Sequence, residues 1–384
     1  MLYDPAHFEP LVDESWDEAR VRDAIRAIVA DADAAYSPDG LWPAHEWDGW
    51  DAPLPLKNLY VGAAGVVWAL NRLRLHAESA LDLRTVALRA LELWREEPDF
   101  ERNEIKPEPA ESSLFCGETG PLLVACLLGA GGSLADDLLA RVRANVANEA
   151  EELFWGTPGT LVAAAAMGWD DAARESADAL ASRRDADGLW TQRHYGPTVR
   201  SLGAPHGLVG NVGALLRVEH DRNDALGRET AAILAAHAIV EDGLATWPLG
   251  FGGGLEARDG QIRLQWCGGA PGIVIAAGGY LDEELLLAGA ELVWRAGPHN
   301  DEKGHGICHG TAGNGFALLK AFARTGDERW LERARRFAVH ALAQVERLRA
   351  ARGRGRYSLW TGDVGTALYA AACIDADARY PVLD

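Results

Sequence analysis

Two thiols and two imidazoles stand in a shared register along this chain. Cys267 and Cys308 each lie two residues before the first glycine of a Gly-x-x-Gly pair, Gly269 and Gly310, while His206 and His309 each lie one residue before such a glycine, Gly207 and Gly310. By chain distance alone the pattern is weak, since there is no Cys-x-x-Cys and the two cysteines are 41 residues apart. A lone cysteine is commonly a small buried hydrophobe. A common offset within a repeat changes that reading, because equivalent positions of a repeat face the same rim. Cys267, Cys308 and His309 then form a Cys2His set, which suits Zn2+: three protein ligands on a tetrahedral ion leave one position open for substrate.

The elements that must deliver these residues are a repeat. The glycine pair recurs seven times, at Gly62/Gly65, Gly117/Gly120, Gly156/Gly159, Gly207/Gly210, Gly269/Gly272, Gly310/Gly313 and Gly362/Gly365. The runs that follow, among them VVWALNRL, PLLVACLL, TLVAAAAM, GIVIAA and FALLKAF, are too evenly apolar for half-exposed helices and predict helices buried on most sides. Ahead of the pairs, segments 16–35, 79–97, 134–152, 170–184, 223–240, 283–294 and 328–345 are apolar at i, i+3, i+4 and i+7 and charged elsewhere, which predicts amphipathic outer helices. Such a hairpin cannot bury both faces of its inner helix alone, so hairpins must stack as an open solenoid or a closed ring. Spacings of 39 to 62 residues between successive pairs, with long inserts, favour the ring. The expectation is an all-α, seven-fold α/α toroid, a double ring of seven inner and seven outer helices forming one domain over residues 1–384. The glycines read as positions for tight turns and close backbone approach. Inserts 36–58 and 185–205, rich in Gly, Pro, Trp and Asp, predict loops. Residues 243–266 predict a short strand pair, GLATWPLGF with QIRLQW, around a turn at Asp259-Gly260. Inserts collected on one rim would wall a site.

Composition narrows the partners. The 384 residues carry 57 acidic against 37 basic side chains, a formal net charge of −20, which disfavours nucleic acid and anionic membrane surfaces as partners. Only four of the basic residues are lysines: Lys57, Lys106, Lys303 and Lys320. A 48% apolar content with 14 Trp excludes a mainly disordered chain. Five scattered cysteines in a chain of this size give no disulfide framework. With no signal-peptide pattern at the start and no apolar run of roughly 18 to 20 residues, a cytoplasmic protein in reducing conditions is expected.

The segments Trp266-Cys267-Gly268-Gly269-Ala270-Pro271-Gly272 and Gly306-Ile307-Cys308-His309-Gly310-Thr311-Ala312-Gly313-Asn314 resemble the two zinc motifs of the lanthionine synthetase C family. Phe115-Cys116-Gly117-Glu118-Thr119-Gly120-Pro121-Leu122 and Tyr357-Ser358-Leu359-Trp360-Thr361-Gly362-Asp363-Val364-Gly365 are similar to its LanC-like branch, best known from eukaryotes. The similarity runs from about residue 58 to the end. It implies a seven-fold α/α toroid with a catalytic zinc on Cys267, Cys308 and His309. The implied reaction is addition of a thiol, from a peptide cysteine or from a small thiol such as glutathione, to dehydroalanine or dehydrobutyrine in a peptide or protein substrate. Attack on such an acceptor generates an enolate, so the reaction needs an acid for the α-carbon and a cation for the oxygen. His206, in Ala204-Pro205-His206-Gly207, matches the family's catalytic histidine and is the candidate acid. Arg263, four residues before Cys267, matches an arginine of the bacterial cyclases. Lys303, five before Cys308, matches a lysine that the LanC-like branch associates with phosphate elimination and thiol activation. Glu152 falls where bacterial cyclases carry an acidic residue. Gly268 departs from the pattern, since cyclases often place an aromatic there, and Cys116, Cys126 and Cys373 receive no role.

Two other readings stand beside this one. A carbohydrate-active α/α toroid is suggested by the Trp-rich loops and many carboxylates, and would need paired acids on one rim. A non-catalytic zinc- or glutathione-binding protein would use the metal only to tie repeats five and six together.

Overall fold

A computed structural model of the protein describes residues 1–49, 52–100, 110–193, 198–218, 223–257 and 260–384. Among these lie fourteen α-helices in two alternating classes. The inner helices are α2 (Ala63–Leu73), α4 (Thr119–Leu127), α6 (Thr157–Ala166), α8 (Leu208–Leu215), α10 (Ala270–Ala277), α12 (Thr311–Thr325) and α14 (Asp363–Asp375). The outer ones are α1 (Glu18–Ala35), α3 (Leu83–Glu96), α5 (Ser133–Asn145), α7 (Asp170–Ser182), α9 (Asn223–His237), α11 (Glu283–Ala296) and α13 (Glu328–Arg352). Each inner helix packs against the next, and α14 returns to pack against α2, so the ring closes. The architecture is the all-α toroid that the repeat predicts.

The two classes start differently for a physical reason. Outer helices α1, α3, α11 and α13 begin on Asp17, Asp82, Asp282 and Asp327, whose carboxylates accept first-turn N–H groups. In α1 only one stripe is buried, Val21, Ile25, Ile28, Val29 and Ala32, whereas α13 is buried on all sides over 337–342. Inner helices α2, α6, α8, α10, α12 and α14 follow a glycine instead. The second glycine of every pair explains the motif: a Cβ there would collide with the carbonyl oxygen six residues back, that of Leu59, Leu114, Leu153, Ala204, Trp266, Ile307 or Leu359. At Gly65, Gly120 and Gly159 the side chain at that offset in the preceding repeat, Leu359, Leu59 and Leu114 respectively, also crowds in. The spacing is thus a packing requirement between neighbouring hairpins.

Aromatic side chains fill the ring below one rim. Tyr60, Phe115, Phe154, Trp266 and Trp360 pack with centroids 4.7 to 6.0 Å apart. Tyr380, from the segment after α14, joins them and donates to the carbonyl of Ile307 at 2.5 Å.

The inserts differ from expectation in detail. The strand that forms, β4 (Leu244–Thr246), pairs with β3 (Ile239–Glu241) rather than with QIRLQW. The turn between them is Asp242-Gly243, with φ of 52° and 76°, the pair of positive values that a two-residue turn between right-twisted strands requires. Asp259 of the expected turn lies outside the described residues, while on either side of it Glu256 and Ile262, the latter from QIRLQW, form a single antiparallel bridge. Insert 185–205 carries a second small pair, β1 (Gln192–Arg193) with β2 (Thr198–Val199). Helix α5 stops at Asn145, short of the expected 152, because the Asn145 and Asn148 side chains bond to the following turn: Asn145 Nδ2 donates to the Trp155 carbonyl at 3.1 Å, and Asn148 Oδ1 accepts from Ala150 N at 2.9 Å. No helix among the described residues is long and apolar enough to cross a membrane.

Candidate metal centre and active site

The site is built on the loops that lead into the inner helices. In the first repeats a polar side chain four residues before the first glycine ties the loop: Asn58 Oδ1 accepts from Tyr60 N and Val61 N at 2.9 and 2.8 Å, and Ser113 Oγ accepts from Cys116 N at 2.9 Å. Glu152 stands at the same offset and accepts from Phe154 N and Trp155 N at 3.1 and 2.5 Å. Two residues further on, side chains turn to the axis. In repeats five and six these are Cys267 and Cys308.

The ligand atoms of Cys267, Cys308 and His309 lie within 4.8 Å of one another, the only such group of three or more metal-ligating side chains among the described residues. His309 Nε2 is 3.4 Å from Cys308 Sγ. Tyr60 Oη donates to Cys308 Sγ at 3.1 Å, and Gln265 Nε2 donates to Cys267 Sγ at 2.8 Å. The Cys308 thiol bonded to Cys267 holds it well below the usual thiol range, against its burial and with help from His309. Burial, together with the neighbouring Cys267, pushes Cys308 well above that range. A divalent cation between the two sulfurs would hold both as thiolates. Two soft sulfurs, one imidazole and a donor on each sulfur fit Zn2+.

A cavity of about 860 Å3 opens over this group and is lined by Cys267, His309, His206, Arg263 and Lys303 among others. All three inserts contribute walls: Asp48 from the first, Arg200 from the second, and Phe251 and Glu256 from the third. His206 Nδ1 meets Glu152 Oε2 at 2.6 Å. Burial would lower the His206 pKa, but the Glu152 hydrogen bond and charge, with Cys267 adding to them, outweigh it and leave the imidazole raised. Glu152 itself is fully buried and lies behind His206 rather than on the cavity wall. Arg263 and Lys303 both reach Gln261 Oε1, at 3.0 and 3.5 Å. Of the other lysines, Lys57 is buried in an ion pair with Asp99 at 2.9 Å and Lys320 pairs with Asp384 at 2.6 Å, while Lys106 lies outside the described residues. All five cysteines are free of disulfides.

Sequence reasoning passed over several residues here. Tyr60 occupies the same offset as Cys267 and Cys308, so the register that found the thiols also pointed to it. Arg356 shares the offset of Arg263, six before the first glycine, and also lines the cavity. Its guanidinium clasps Asp48, with Nε donating to Oδ2 at 2.9 Å, and Thr361 Oγ1 donates to Asp48 Oδ1 at 3.0 Å. Nothing in the spacing of Asp48 signals that contact across 308 residues.

The sequence profile of lanthionine synthetase C-like proteins matches residues 56–383. Glutathione S-transferase LANCL1 of Danio rerio is 30% identical over 139 residues, which is 34% of this chain and 33% of the relative, so the match spans about a third of that protein's length. Among solved structures, nisin cyclase superposes with a TM-score of 0.59 at 14% identity, covering 92% of this chain and 94% of that one, a likeness of fold.

Proposed function

This chain belongs to the lanthionine synthetase C-like family, and from that premise we propose that it is a zinc-dependent enzyme adding a thiol across the double bond of dehydroalanine or dehydrobutyrine to give a thioether. The observation that carries the reading is the meeting of Cys267, Cys308 and His309 at a cavity also lined by His206, Arg263 and Lys303. When bound by Cys267, Cys308 and His309, zinc supplies the positive charge that keeps a substrate sulfur deprotonated near neutral pH, where a free thiol is only about 3% thiolate.

The remaining steps fall to side chains. The substrate sulfur forms a bond to the β-carbon while the π electrons of the acceptor move toward its carbonyl oxygen. Arg263 faces that oxygen as charge develops on it, and Lys303 beside it holds an anionic group of either substrate. His206, held through Nδ1 by Glu152, delivers a proton to the α-carbon from its other ring nitrogen. Thiol and alkene combine with no leaving group, and the proton lost by the thiol is matched by the one gained at carbon. Holding sulfur and alkene in line accounts for up to about 7 to 11 kcal/mol of the barrier.

The name of the matched relative, a glutathione S-transferase, supports glutathione as a thiol, and the fold neighbour, a cyclase, keeps a peptide cysteine in view. Against a carbohydrate-active reading stand three of the insert tryptophans: the indoles of Trp42, Trp190 and Trp247 are buried and donate to the carbonyls of Ala32, Leu180 and Leu234 instead of facing a ligand, which leaves Trp47 on the cavity wall. Incubation with a dehydroalanine peptide plus glutathione, and separately plus a cysteine peptide, tests the proposal by mass spectrometry. The expected product is a sum-mass adduct with at least one thiol, lost on chelation and regained with Zn2+; no adduct with either overturns the proposal.

A further inference from the structure

The offset two residues before the first glycine carries Tyr60, Phe115, Phe154, Pro205, Cys267, Cys308 and Trp360 through the seven repeats. Only Tyr60, Cys267 and Cys308 bring a side-chain heteroatom able to hydrogen-bond through O–H or sulfur. Tyr60 and Cys308 meet across 248 residues of chain, hydroxyl on sulfur at 3.1 Å. The Tyr60 ring is set by Phe154 at 4.9 Å and Trp360 at 6.0 Å, so the direction of its hydroxyl is fixed by packing. Gln265, two residues before Cys267, turns its amide nitrogen to that sulfur at 2.8 Å. Of the two ends of the amide, only the nitrogen can donate to an electron-rich sulfur.

One donor per sulfur has a chemical use in this pocket. The reading above admits an electrophilic alkene to a cavity in which Cys267 is itself a wall. A ligand thiolate is a nucleophile too, and its addition to the alkene would form a Cys267 Sγ–Cβ bond, take a proton onto the α-carbon and remove the sulfur from the metal. Resting on that zinc reading, we propose that Tyr60 and Gln265 are positioning residues of the metal centre: each donates a hydrogen bond to one ligand sulfur, fixing its orientation and drawing off charge, so that the protein's own sulfurs stay on the metal while the substrate sulfur reacts. The same bonds tie the centre to repeat one as well as to repeats five and six.

The test uses the full-length protein as wild type, Tyr60→Phe and Gln265→Leu, with folding checked by circular dichroism. Each variant is expected to bind zinc about 10-fold more weakly in chelator competition, the scale of losing a partner that orients a metal ligand. In the Co2+-substituted protein the sulfur-to-metal charge-transfer band is expected to move to longer wavelength, because a sulfur relieved of its hydrogen bond is a stronger electron donor. Cys267 of zinc-loaded Gln265→Leu is expected to be alkylated by iodoacetamide several-fold faster than in wild type. Folded variants whose zinc affinity, cobalt band and alkylation rate all equal those of wild type overturn this inference alone. A wild-type protein that takes up neither Zn2+ nor Co2+ overturns the zinc reading beneath it. Should Tyr60→Phe not fold, Gln265→Leu decides the question on Cys267.

Discussion

Repeats two and three build the same loop as repeats five and six and put different atoms at its tip. In all four, the residue two before the first glycine points to the ring axis. In repeats two and three it is Phe115 or Phe154, stacked on each other at 4.8 Å, and in five and six it is Cys267 or Cys308. The backbone that makes a hydrophobic plug on one side therefore gathers three metal-ligating side chains on the other. The lesson is that the toroid supplies positions and a few side chains decide what those positions do, so fold alone does not fix the chemistry.

Changing the tips on each side should break the two halves in different ways. Cys308→Ala is expected to lose bound zinc and at least about 1,000-fold in adduct formation, about 4 kcal/mol of barrier, with its melting profile close to that of wild type; metal analysis and a thermal melt check both parts. His206→Asn should keep its zinc and fall by about 100- to 10,000-fold in rate, as loss of a positioned acid requires. On the plug side, Phe115→Ala should cost about 3 to 5 kcal/mol of stability by denaturant titration while the folded protein still takes up one zinc.

A smaller effect sharpens the comparison at Glu152, which ties its loop as Ser113 does and also holds His206. In Glu152→Gln the charge that raises the His206 pKa is gone, so the alkaline limb of a pH–rate profile should move to lower pH. A raised histidine contributes stability that is fully present below its unfolded pKa of about 6.5 and fades as pH rises through the folded value, so the stability deficit of the variant should be larger at pH 6 than at pH 9. The smallest effect lies on the outer ring, where Asp17→Ala should cost about 1 kcal/mol through loss of the α1 cap and leave rate and zinc content untouched.

Much of this arrangement is legible in the chain because it follows from one local rule. The second glycine of each pair must admit a carbonyl six residues back, so glycine spacing reports the ring, and offsets from it report which side chains converge. Tyr60 was readable by the same rule, but an aromatic at that offset looks like packing until its hydroxyl is seen on a sulfur. The hairpin at Asp242-Gly243 goes unread because a second Asp-Gly follows at 259–260, flanked by the Glu256–Ile262 bridge, and the pattern does not rank them. It also belongs to a recurring phrase, Asp39-Gly40-Leu41-Trp42 and Asp187-Gly188-Leu189-Trp190 being its relatives. The clasp of Asp48 by Arg356 was not legible at all, since it depends on how the first and last parts of the chain meet when the ring closes.

That recurring phrase bears on how the pocket is walled. Trp42, Trp190 and Trp247 each pin the start of an insert to a late carbonyl of the outer helix before it, α1, α7 or α9. The far end of each insert is pinned by the glycine pair that opens the next inner helix. Between two such posts the insert serves as a panel of the cavity wall, and residues such as Phe251 and Glu256 shape that wall without belonging to any helix of the ring.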